Sequence, residues 1–111
     1  MTNIFQYDVV IVKFPFASSL KYKARPAVVV SSDYYNNNTR DTLLILAISS
    51  SVSSKQNFER ELLEYTNAGL LKPSIFKASI ATIEKEFIIT KIGTLDRRDR
   101  ENLNKMIKTI C

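Results

Sequence analysis

The chain has 111 residues, 45% of them hydrophobic and 24% charged, with 16 Lys and Arg against 11 Asp and Glu for a net charge of +5. That length accommodates one domain, 1–111, with one core, and the composition excludes a disordered or low-complexity chain. His is absent and Cys111 is the single cysteine, which excludes His-based acid–base catalysis, a Ser-His-Asp triad, an internal disulfide and a Cys/His zinc site.

The basic balance favours polyanionic partners, although charge kept for solubility accounts for it equally well. The segment Met1 to Asp8 lacks the basic flank and apolar run of a signal peptide, and no stretch is long enough to span a bilayer. No membrane association and a cytoplasmic location are the expectation.

In chain order, Asp8 to Phe16 is rich in β-branched and aromatic residues and predicts a first strand that Pro15 brings to an end. Ala17 to Ala24 is small, polar and basic, which suits an exposed loop. Arg25 to Ser32 predicts a second, buried strand opened by Pro26, which places Arg25 at a loop–strand junction. The polar run Asp33 to Asp41 predicts a loop, and Thr42 to Ile48 a third strand ending at Ser49.

Ser49 to Asn57 predicts a second polar loop, Phe58 to Tyr65 an interrupted strand, and Asn67-Ala68-Gly69 a turn. Ser74 to Ile80 and Phe87 to Ile92 predict two half-buried strands joined by Ala81 to Glu86. Leu103, Met106, Ile107 and Ile110 recur at helical spacing behind Asp96 and Asp99, which favour a helix N-terminus. The sum is a mostly β fold of five to seven antiparallel strands with a C-terminal helix.

Arg25 is the sharpest chemical candidate. Its guanidinium presents a fork of donors to phosphate oxygens and stabilises charge developing in phosphoryl transfer; the competing reading is an ion pair with Asp8 or Asp33. Ser49, at a strand end, suits hydrogen bonding to phosphate better than nucleophilic attack, because no His partner exists; an ordinary loop hydroxyl is the plainer alternative. Lys21, Tyr22 and Lys23 combine cations with a ring that tracks a single-stranded backbone and stacks its bases, or else packs on the core edge. Arg97, Arg98 and Arg100, among Asp96, Asp99 and Glu101, read as a solvated helix face with local ion pairs. No phosphate-binding Gly-rich loop or metal-ligand spacing is present, so no cofactor and no metal are expected.

Several ordered motifs resemble the MazF/PemK-type toxins, small mRNA-cleaving endoribonucleases of toxin–antitoxin systems. They are Asp8-Val9-Val10-Ile11-Val12 leading to Phe14-Pro15-Phe16, Lys23-Ala24-Arg25-Pro26-Ala27-Val28-Val29-Val30-Ser31, Leu46-Ala47-Ile48-Ser49, Ala68-Gly69-Leu70-Leu71-Lys72-Pro73-Ser74, Ala81-Thr82-Ile83-Glu84-Lys85 and Lys91-Ile92-Gly93-Thr94-Leu95. The resemblance covers nearly the whole chain. It implies an SH3-like barrel with a C-terminal helix, a homodimer with single-stranded mRNA across its interface, and a cognate antitoxin occupying the same groove.

The implied chemistry is metal-independent, sequence-specific cleavage by 2′-OH attack on the adjacent phosphate, with Arg25 stabilising the phosphorane and Ser49, or Ser50, bonding the scissile phosphate. The loop Ser18 to Ala24 matches the family's gating loop. Tyr7 stands where the family usually has Gly, which implies a different local backbone. Ser79 and Lys77 stand where some members carry an acidic residue, proposed as the base, and an Arg; both are candidates for RNA binding here. Two other readings compete: a catalytically silent RNA-binding domain, and a gyrase-targeting toxin of the same fold, resembling CcdB, which depends on a Trp that this chain lacks.

Overall fold

The computed structural model describes residues 3–15 and 22–111. Six strands are present: β1 (Asp8–Pro15), β2 (Tyr22–Val29), β3 (Thr42–Ser49), β4 (Arg60–Glu61), β5 (Ile75–Glu84) and β6 (Ile88–Thr94). All pair antiparallel in one sheet of order β4-β5-β3-β2-β1-β6, and the edge strands β4 and β6 are not paired with each other, so the sheet stays open. Helix α1 (Asp33–Asn38) follows β2, and helix α2 (Arg97–Ile110) ends the chain. The expected mostly β architecture with a C-terminal helix is what is found.

The unbroken apolar runs of β1 to β3 are explained by burial on both faces. Side chains alternate across a strand, and neighbours such as Val9 and Val10 belong to different buried clusters. On one face Val9, Val28, Leu46, Ile48 and Phe76 pack beneath Leu103 and Met106 of α2. On the other, Val10, Val12, Ala27, Val29, Leu43 and Ile45 meet Ile83, with Ile4 and Ile88 at the margin.

Helix α2 is placed by its start as much as by its apolar stripe. Asp96 caps it, accepting the Asp99 N–H at 3.1 Å. Asp99, fully buried, turns its carboxylate outward from the helix to accept the Leu63 and Glu64 N–H groups at 2.7 and 2.9 Å. Of the three arginines around it, Arg97 and Arg98 form the expected ion pairs, with Glu101 and Glu64, whereas Arg100 donates to the Leu95 carbonyl and lies over the Tyr7 ring.

Four expectations are corrected. The polar run after β2 is not all loop, because Ser32 caps a helical turn by accepting the Tyr35 N–H, and buried Asn36 bonds back to Ser31. Strand β2 begins earlier than Arg25, since pairing with β1 carries it out to Tyr22. Strand β5 runs through the predicted connection to Glu84 because β3 offers it a partner as far as Thr42. The interrupted strand around Phe58 shrinks to Arg60–Glu61.

Among the described residues, two hold a left-handed backbone. Tyr7, at φ 73°, keeps a conformation that favours glycine despite its side chain. Gly69, at φ 82°, abuts β6 so closely that a Cβ would lie 2.0 Å from the Ile92 carbonyl oxygen, and a Cβ on Gly93 would in turn strike Ala68. The turn and the strand interlock through their two glycines. Gly69→Ala is therefore expected to destabilise the protein by about 2 kcal/mol or more, read as a lowered denaturant midpoint with an unchanged slope.

Candidate active site

Pro26 determines where the sheet opens. The Tyr7 N–H donates to the Val29 carbonyl at 2.8 Å and the Val30 N–H to the Leu44 carbonyl at 2.9 Å, so Val29 turns its backbone groups towards the β1 side and Val30 towards β3. Backbone direction alternates along an antiparallel strand, so Val28 and Pro26 also face β3. Proline has no N–H to offer, and the β2–β3 pairing stops at Ala27 opposite Ala47. Continued two residues outward, that register sets Arg25 opposite Ser49.

Beyond the last pair lies a cleft of about 560 Å³. Lys23 and Arg25 line it from β2, two residues apart and so on one face of the strand, and Ser49 to Ser51 line it from the end of β3. Gly69 to Lys72 close it from the turn that interlocks with β6, while Ile11, Pro26, Ile48 and Ile92 supply apolar surface. The lining carries Arg25, Lys23 and Lys72 and no carboxylate among the described residues.

Ser49 accepts the Ser51 N–H at 3.1 Å on its hydroxyl oxygen. That bond uses the oxygen as an acceptor and leaves the O–H for donation to a ligand acceptor. Of the carboxylates considered as partners for Arg25, Asp8 accepts the Phe5 N–H and pairs with Lys91, and Asp33 accepts the Gln6 N–H.

The family model for PemK-like, MazF-like toxins of type II toxin–antitoxin systems matches residues 5–111. The chain belongs to this family. Solved structures agree in fold. A mycobacterial endoribonuclease in complex with its cognate antitoxin is 16% identical with a TM-score of 0.73, covering 98% of this chain and 93% of that one. The Mycobacterium tuberculosis toxin MazF-mt6 is 19% identical with a TM-score of 0.74, over 92% and 93% of the two chains. A further endoribonuclease from a mycobacterial species is 15% identical at 0.73, over 98% and 91%. No curated protein matches the sequence.

Among the residues singled out in this PemK/MazF-type chain, Arg25, Ser49, Ser50 and Lys23 come together in the cleft. Tyr22 begins β2, and Lys21 lies outside the described residues, as does most of the loop Ser18 to Ala24. Lys77 and Ser79 sit on β5 and do not line the cleft. Sequence reasoning misses Gly69 to Lys72, because only the packing of a distant turn against β6 brings them to the cleft, and it stops at Ser50 one residue short of Ser51, which continues from β3.

Lys77 faces Glu59 instead, at 3.8 Å. Burial of the Glu59 carboxyl opposes its ionisation, but N–H donation from Gln56 and Ala78 and the charges of Lys77 and Lys55 outweigh it and hold its pKa below the ordinary 4.5. A carboxyl whose folded value is depressed adds stability at neutral pH that is lost as pH falls below 4.5 through the folded value. Glu59→Gln is expected to unfold at lower denaturant than the unmodified chain at neutral pH, with the gap narrowing as the medium is acidified past 4.5.

Proposed function

We propose that the chain is a metal-independent endoribonuclease toxin acting on single-stranded RNA. The observation that carries this reading is that Arg25 and Ser49 line one cleft, together with Lys23 and Lys72 and with no carboxylate among its described lining residues. The endoribonucleases of the same fold named above, one of them bound to its cognate antitoxin, support the activity class and a cognate antitoxin as a partner. A second copy of the chain completes the assembly in this reading.

The ribose 2′-oxygen attacks the neighbouring phosphorus while the 5′-oxygen of the next nucleotide leaves. The products are a cyclic phosphate and a 5′-OH; the proton lost from the 2′-OH is balanced by the one the leaving oxygen gains. Charge on the phosphoryl oxygens rises in the transition state, and a preorganised guanidinium stabilises that charge in place. Ser49, its oxygen held by Ser51, donates to a non-bridging oxygen. Lys23 and Lys72 neutralise flanking phosphates.

Purified protein incubated with a long unstructured RNA in chelator is expected to cut it, leaving cyclic phosphate and 5′-OH ends. Arg25→Ala lowers the rate about a hundredfold or more, as for other preorganised charge-stabilising groups. RNA left intact but still bound would make the chain a silent RNA-binding module, and cleavage that needs added magnesium would contradict the mechanism.

A further inference from the structure

The turn that closes the cleft presents a leucine almost wholly to water. Leu71 is 96% exposed, while its neighbour Leu70 is buried at 8%. A single exposed apolar side chain is ordinary on a protein surface; this one differs in being held where it is from both sides. The Gly69 N–H donates to the Thr66 carbonyl and the Leu70 N–H to the Tyr65 carbonyl, both at 3.0 Å, and Gly69 is wedged against β6. On the far side, the Ser74 hydroxyl donates to the Lys72 carbonyl at 2.9 Å, and the Leu62 N–H to the Ser74 carbonyl at 2.9 Å.

The chain thus fixes an apolar side chain beside a cation, Lys72, on the wall of a basic cleft. A single strand of RNA offers that combination its complement: flat apolar base faces next to phosphates spaced along the backbone. A folded duplex hides its base faces, so an apolar lip selects unpaired nucleotides.

We infer that Leu71 is a specificity-determining contact for the proposed cleavage reaction, packing on the base beside the scissile phosphate while Lys72 holds the adjoining phosphate. This rests on the endoribonuclease reading. Leucine carries no donor or acceptor, so it discriminates by the size and stacking of the base rather than by reading its edge. Lys72 contributes charge without sequence preference.

The test uses the full chain, its Leu71→Ala and Lys72→Gln variants, and an RNA pool of random sequence whose cut ends are sequenced. Unchanged unfolding midpoints are expected for both variants, since neither side chain is buried. Leu71→Ala is expected to lower kcat/KM about tenfold, the scale of one lost base contact, and to relax the preference at one position next to the cut. Lys72→Gln is expected to keep the cut pattern and to reduce the slope of log affinity against log salt by about 0.7. Identical cut sites and rates for Leu71→Ala and the unmodified chain would overturn the inference, as would a Leu71 requirement seen only in binding a protein partner. If the unmodified chain cuts nothing, the endoribonuclease reading fails, and affinity for 2′-O-methyl RNA then judges the lip separately: a loss with Leu71→Ala supports the contact and equal affinity overturns it.

Discussion

Pro26 has no N–H, and it stands at a point of β2 where that donor would have faced β3. A missing ladder bond costs on the order of 1 kcal/mol, small beside the burial of Ala27, Val28 and Val29 immediately after it. The strand tolerates the loss and the sheet parts there. Had the ladder continued, Arg25 and Ser49 would have formed an ordinary cross-strand pair; because it stops, the two side chains border a cleft instead. The proline therefore sets both the position of the arginine and the space in front of it.

The opposite wall needs fixing independently, since no strand pairing reaches it. The Gly69–Gly93 interlock seats the turn on β6, and Asp99 ties the preceding segment to α2 through two N–H groups. Tyr7 anchors the other end of the same unit. Its left-handed backbone costs roughly 1–2 kcal/mol, and the residue is retained through a set of contacts: its N–H to the Val29 carbonyl, its carbonyl to the Leu95 N–H, its hydroxyl to Asn104, and its ring beneath Arg100. A cation over a ring contributes about 0.5–1 kcal/mol when exposed, so several such contacts together offset the strain. Helix α2 and the start of β1 are thereby joined through one residue.

The sequence made some of this legible and hid the rest for physical reasons. Strands β1 and β3 and helix α2 carry their signal locally, in β-branched runs and in the spacing of Leu103 and Met106 behind Asp96; the expected bounds of the two strands agree with the observed ones to about a residue, and the helix is found where its spacing places it. Helix α1 was hidden because Asn-rich segments resemble loops until Ser32 is seen to cap them. The extent of β5 depends on its neighbour rather than on its own residues. Within the site, Arg25 and Ser49 lie next to elements that are easy to recognise, whereas Leu71 and Lys72 reach the cleft through a contact between residues far apart in the chain. No local pattern encodes that approach.

Charge is distributed with the same division. The carboxylates the fold buries are each engaged in structure: Asp8 with the Phe5 N–H and Lys91, Glu59 with the Gln56 and Ala78 N–H groups, Asp99 with the segment leading into the turn. None of them lines the cleft. Arg25, Lys23 and Lys72 therefore line the cleft with no carboxylate among its described lining residues to offset them. An environment of that kind concentrates phosphates and stabilises a growing negative charge more readily than it removes a proton, because a basic surface lowers the proton affinity of any group placed in it. The cleft thus offers hydroxyls rather than carboxylates as the polar neighbours of its cations.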